Sequence, residues 1–190
     1  MIRLAPNGRT YLFIHVPKTG GTSIANALDL PNVMHVSAVQ ERRDAGDEAW
    51  NSAFKFAFVR NPWDRIVSQY HYRLGKDETG IRTTGISFDE WVRLAYGFRD
   101  PKWCWRPEFF GQQRDWIQSE HGKIELDFVG RFETFESDCA FVATRLGILK
   151  PTPHLNRTEH RPYQEYYTGG TEQIIRRCFK DDIALFGYEF

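Results

Sequence analysis

The chain has 190 residues, 41% hydrophobic and 15% aromatic, enough for one compact domain (1–190) with a real core and too apolar for a disordered chain. Lys+Arg and Asp+Glu number 25 each, which removes the global basic field that a nucleic-acid partner would call for. Cys104, Cys139 and Cys178 are odd in number and form no CxxC, so reduced thiols in a cytoplasmic protein are expected rather than a disulfide frame or a zinc site.

The opening MIRLAPNGRT has no apolar stretch of signal-peptide length, and no run approaches a transmembrane span, so the chain reads as soluble. Residues 11–16 are apolar except for His15, as in a buried parallel strand. A helix is expected over 22–29, then a short second strand from Val33 to Val36. The polar stretch ERRDAGDEAW is a helix or a surface loop. FKFAFV (54–59) is a third strand by its β-branched and aromatic content. NPWDRIVSQYHYR opens a helix, with Asn61 as cap, Pro62 at its first position and Asp64 in its first turn.

GKDETGIRTTGIS (75–87) reads as a flexible loop. Helical patterns follow near 88–97 and 108–120. LDFVG (126–130) is expected to be a buried strand and ESDCAFVATRLG (136–147) a helix ending at Gly147. The proline-rich KPTPHLNRTEHRP is irregular, and a last helix covers about 171–181. Strands alternating with helices make an α/β layer fold with a mainly parallel sheet.

PKTGGTS (17–23) joins the first strand to the first helix. Gly20 and Gly21 let backbone N–H groups approach an anion, and the helix N-terminus adds unpaired donors and the positive end of its dipole. Thr19, Thr22 and Ser23 offer hydroxyls, and Lys18 a full charge. The pattern is not G-x-x-x-x-G-K-[ST], because the lysine precedes the glycines. The plainer reading is a glycine turn with an ordinary helix cap. In the second stretch, FVRNPWDRIVSQY, Arg60 ends a buried strand, at the edge where α/β folds bind ligands, and its planar fork suits phosphate. Ser68 lies about 9 Å further along the next helix at the helical rise. The plainer reading pairs Arg60 with Asp64 and leaves Ser68 solvated. Residues 1–75 hold nine Lys/Arg against six Asp/Glu, a mild excess in keeping with an anionic ligand. Two anion clamps fit a ligand with phosphates at two separated points.

PKTGGTS followed by RNPWDRIVSQY resembles the carbohydrate sulfotransferases that use 3′-phosphoadenosine 5′-phosphosulfate (PAPS). The resemblance continues through FVGRFETFE (128–136), HLNRTEH (154–160) and DDIALFGYEF (181–190). It resembles the short bacterial-type members, without the membrane anchor and stem of the Golgi enzymes. It implies a P-loop-like three-layer α/β/α fold around a central, mainly parallel sheet of four or five strands. It implies sulfuryl transfer by in-line attack, no metal, 3′-phosphoadenosine 5′-phosphate as product, and a glycan or small hydroxylated acceptor. Lys18 would contact the oxygen bridging phosphate and sulfate. Thr19, Gly20, Gly21, Thr22 and Ser23 would surround the 5′-phosphate, and Arg60 and Ser68 would hold the 3′-phosphate.

An acceptor hydroxyl must lose its proton as it attacks, and histidine suits that step near neutral pH. His35 is the favoured base because relatives carry a histidine in this segment. Glu41 is the fallback, and His15 reads as a buried core histidine. The aromatics Trp91, Tyr96, Trp103, Trp105, Phe109, Phe110 and Trp116 line a sugar cleft, stack adenine or, more commonly, fill core. Asn156 or Arg157 would close over the nucleotide. Two other readings stay open: a P-loop-type kinase, and a non-catalytic sensor of 3′-phosphoadenosine nucleotides. The acceptor and the oligomeric state are not legible.

Overall fold

The structure is a computed structural model and describes residues 2–27, 34–148 and 161–190. In chain order, its first half carries β1 (Arg3–Leu4), β2 (Thr10–Ile14), α1 (Gly21–Ala27), α2 (Ala38–Ala45), α3 (Asp47–Ser52), β3 (Phe54–Val59) and α4 (Pro62–Lys76). The second half carries α5 (Phe88–Val92), α6 (Arg114–Ile117), β4 (Phe128–Arg131), α7 (Phe135–Leu146), α8 (Gly169–Cys178) and α9 (Lys180–Phe186). These elements gather into two compact units, one from residues 2–60 and 113–148 and the other from 61–112 and 161–190.

The first unit holds the sheet, with order β1-β2-β3-β4. β2 and β3 run parallel, as do β3 and β4, while β1 pairs antiparallel with β2. The fold is therefore α/β with a mainly parallel four-stranded sheet, as expected. β3 is buried along its whole length, which is why FKFAFV is continuously apolar apart from Lys55. The Lys55 ammonium lies 3.0 Å from the Asp127 carboxylate and donates to the carbonyls of Trp50 and Ala53.

Side chains alternate across a strand, so Tyr11 and Phe13 share one sheet face with their partners Phe54 and Phe56, and with Phe58. That face forms a core with Ile24 of α1 and Cys139, Val142, Ala143 and Leu146 of α7. α7 ends where predicted, with Gly147 in the left-handed region at φ 70°. A side chain there would also meet Asn7.

The second unit packs around α4. Asn61 caps this helix by accepting from the Trp63 N–H, with Pro62 in the first turn, as its sequence predicts. The helix buries Trp63, Ile66, Val67 and Tyr70 against Trp91, Tyr96, Phe110, Ile175 and Phe179. Burying large aromatics supplies on the order of 2 kcal/mol or more apiece, so this core is held by aromatic area.

Several expectations are corrected. Residues 34–37 form no strand; they lead into α2, whose first turn Ser37 caps by accepting from the Gln40 N–H. Val33 lies outside the described residues. Of the two readings of ERRDAGDEAW the helical one holds, with the stretch divided between α2 and α3. The stretch 75–87 is a built turn: the Asp77 carboxylate accepts from the N–H groups of Arg82 and Thr83 and from the Thr83 hydroxyl, and Ile81 is fully buried. The pattern near 88–97 divides into α5 and a π-turn, and that near 108–120 shortens to a 3₁₀ turn and α6. β4 begins two residues later than expected and is half-buried apart from Gly130. The terminal helix is two helices, broken at the buried Phe179. Most of the proline-rich stretch, including His154, Asn156, Arg157 and His160, lies outside the described residues. Among the described residues no helix is long and apolar enough to cross a membrane.

Candidate active site

Strand register decides which residues meet. Ile14 pairs with Ala57, and Val59 with Arg131. His15, Arg60 and Phe132 are therefore the residues that leave β2, β3 and β4 at their C-terminal ends. In a parallel sheet this is the edge that binds ligands.

After His15 the backbone turns sharply. Lys18 sits in the left-handed region at φ 67° and Gly20 at φ 84°. Positive φ is costly for a lysine and free for a glycine. Backbone that visits this region gathers successive N–H groups into an anion-binding nest. The Thr19 side chain is fully buried, and its hydroxyl donates to the Val16 carbonyl at 2.9 Å. That hydroxyl staples the loop shut. Ser23 is buried on α1, Thr22 is exposed, and Lys18 is half-buried.

His35 lies against the base of this loop. Its Nδ1 is 2.9 Å from the His15 carbonyl oxygen, and the two imidazoles lie tilted against each other by 36° with centroids 4.0 Å apart. A carbonyl only accepts, so Nδ1 carries the proton and donates. The neutral ring then has its lone pair on Nε2, the form a general base needs. His15 stacks in turn on Phe13, at 5.5 Å, and its ring fills the space beside Gly21. Trp116 of α6 meets His35 edge-on at 6.1 Å. Glu41 is buried on α2. Of the remaining described histidines, His71 bonds the Tyr166 hydroxyl in the second unit. His121 lines a surface groove of about 460 Å³ beside Arg42, Arg43 and Trp50. None of the predicted site residues lines that groove.

Arg60 is 6% exposed, and its Nη1 approaches the Lys18 carbonyl at 3.5 Å. The structure thus brings Lys18, Gly20, Gly21, His35 and Arg60 to one end of the sheet. Ser68, the second residue expected on the 3′-phosphate, belongs to the other unit, where it is buried on α4 rather than solvated. Of the aromatic group, Trp91, Tyr96, Trp103 and Phe110 fill the second unit's core, and Phe109 packs against it. Trp105 is exposed, and Trp116 adjoins His35.

The profile of the sulfotransferase family matches residues 8–189. The chain belongs to the sulfotransferase family. That family has a P-loop-like fold, in agreement with the parallel sheet and the loop that follows β2. The chain is 27% identical to carbohydrate sulfotransferase 10 of Gallus gallus over 172 residues, 73% of the chain and 47% of that protein. It is 28% identical to carbohydrate sulfotransferase 14 of Danio rerio over 164 residues, 71% of the chain and 44% of that protein. It is also 29% identical to an uncharacterized protein of Archaeoglobus fulgidus over 107 residues, 56% of the chain and 78% of that protein. The chain spans about half the length of the curated carbohydrate sulfotransferases it matches. No solved structure matches it.

Two residues of the site carry no signal in the sequence. Gln113 is fully buried and bonds the backbone of Arg60 in both directions. Phe132 lies under the Arg60 guanidinium. Phe132 falls inside FVGRFETFE, but nothing in that string says which residue it touches. The β3–β4 register does.

Proposed function

We propose that the chain transfers the sulfuryl group of PAPS to a hydroxyl of a carbohydrate acceptor, with His35 as base and Lys18 at the leaving group. The observation that carries this reading is the hydrogen bond from His35 Nδ1 to the His15 carbonyl. It ties His35 to the strand that feeds the lysine-bearing loop. The family membership supports the reaction class, and the names of the curated relatives support a carbohydrate as acceptor.

In this reading the acceptor oxygen forms a bond to sulfur as the bond from sulfur to the phosphate oxygen breaks. The acceptor's proton passes to His35 Nε2. Lys18 faces the charge that grows on the departing phosphate, so it stabilises the transition state more than the bound substrate. Its strained backbone is in keeping with a residue held for function. Backbone N–H groups of Gly20 and Gly21, with the hydroxyls of Thr22 and Ser23, hold the 5′-phosphate, while Thr19 sets the shape of the loop. Arg60 takes the 3′-phosphate.

Calorimetry with 3′-phosphoadenosine 5′-phosphate and ATP, each with and without chelator, tests the nucleotide. Tight, chelator-insensitive binding of the first and much weaker binding of ATP is expected. Transfer of radiolabelled sulfate from PAPS onto a panel of glycans and small alcohols tests the reaction. Nucleotide binding with no transfer to any acceptor would leave a sensor; ATP binding that needs Mg²⁺ would leave a kinase.

A further inference from the structure

The end of β3 is held by a device that the proposed chemistry does not use directly. The Gln113 side-chain amide accepts from the Arg60 N–H at 2.9 Å and donates to the Arg60 carbonyl at 2.8 Å. These are the two bonds that a neighbouring strand would make, supplied by one buried side chain. They fix the backbone of residue 60 just past the last paired position of β3 and β4. One residue past that pair on β4 stands Phe132, whose ring centroid is 4.0 Å from the Arg60 guanidinium carbon. The same ring closes on the loop: a Cβ at Gly20 would lie 3.0 Å from it and 3.2 Å from Phe135. Backbone clamp and aromatic floor together leave the guanidinium few orientations.

We propose that Gln113 and Phe132 are positioning residues that aim Arg60 at the 3′-phosphate, and so set the preference for 3′-phosphorylated over 5′-only adenosine nucleotides. This rests on the reading that Arg60 takes the 3′-phosphate. A guanidinium already held over an aromatic ring loses little rotamer entropy when it binds a phosphate. A glutamine in place of a strand keeps the N–H and carbonyl of residue 60 satisfied where the ladder ends. Neither residue has to touch the nucleotide.

The test compares the dissociation constants of 3′-phosphoadenosine 5′-phosphate and adenosine 5′-phosphate for the wild type, Phe132→Leu, Phe132→Tyr and Gln113→Met. Thermal melts identify any variant that fails to fold. Phe132→Leu should weaken the 3′-phosphorylated nucleotide about 3–30-fold, the span of cation–π contributions, and leave adenosine 5′-phosphate within about 2-fold. Phe132→Tyr should restore the wild-type ratio, because it keeps the ring. Gln113→Met should lower the ratio in the same direction. A wild type that binds both nucleotides equally removes the 3′-phosphate from Arg60, and the inference goes with it. A wild type that discriminates while Phe132→Leu keeps the full ratio overturns the inference and leaves the function standing. Equal weakening of both nucleotides by Phe132→Leu also overturns it, since that is the mark of general packing.

Discussion

The imidazole of His15 occupies the space that a side chain at position 21 would need, with Nε2 and Cδ2 nearest. Gly21 is therefore required for room, and Gly20 for its positive φ. Gly21→Ala should destabilise the protein by about 1–3 kcal/mol, the usual cost of overpacking, and weaken nucleotide binding. Adding His15→Ala should recover much of that stability, because the two changes act on one contact. Chemical denaturation of the single and double variants checks this, and additive losses would remove the steric explanation. Lys18 and His35 divide differently. Lys18→Ala should lower kcat on the order of 10²–10³-fold, with little change in nucleotide affinity. His35→Ala should lower it about 10²–10⁴-fold and abolish the acid limb of the wild-type pH profile. Steady-state kinetics across pH separates them; a His35→Ala enzyme with its acid limb intact moves the base to Glu41 or His15.

The sheet edge is built from strands whose lengths and register were only partly legible. β3 and the start of α4 were readable because their signals are local: a β-prone apolar run, then Asn and Pro in capping positions. β1 was not, since a two-residue strand carries no period. Helix pairing in the second unit was equally hidden. Asp89 of α5 accepts from the hydroxyls of Thr168 and Thr171, at 2.6 and 3.0 Å, and from Arg93 at 2.7 Å. Thr168 and Thr171 also form the capping box of α8, so one carboxylate ties two helix starts together. Burial raises the Asp89 pKa, but the bonds from Thr168, Arg93 and Thr171 outweigh it and hold the carboxyl below the usual value. A depressed carboxylate pKa adds stability that is complete above about pH 4 and is lost as pH falls through the folded-state value. Asp89→Asn should cost about 1 kcal/mol at pH 7, at the low end because the group is partly solvated. The difference between variant and wild type should shrink below pH 4. Urea titrations at pH 7 and pH 3 measure it, and a constant gap contradicts the role.

Among the described residues two hydrophobic cores form, and each contains a cysteine. Cys139 lies in the core beneath the sheet, and burial, with Asp138 beside it, pushes its thiol up to about 12. Cys104 is buried in the aromatic core, while Cys178 donates to the Tyr96 carbonyl and is raised by burial. A thiol near 12 holds about a thousandfold less thiolate at pH 8 than an ordinary cysteine. Alkylation of Cys139 at pH 8 should be slower by at least that factor in the native chain than in urea. Mass spectrometry site by site checks it, and fast native labelling at Cys139 would show that its core opens freely.

The PKTGGTS and RNPWDRIVSQY motifs, the strand between them and the capped helix that follows are carried by the residues themselves. Each depends on backbone chemistry within a few positions: glycine at the turn, arginine at the end of an apolar run, asparagine before proline. The aromatic cluster is chiefly core filling for Trp91, Tyr96, Trp103 and Phe110, as its density in the sequence suggests. What local chemistry does not contain is which distant residue lands beside which. The partnering of His35 with His15, 20 residues away, and of Gln113 with Arg60, 53 away, follows from chain packing and has no spacing rule. Phe132 reaches Arg60 because Val59 pairs with Arg131, and a register is fixed only when the two strands bury a common face.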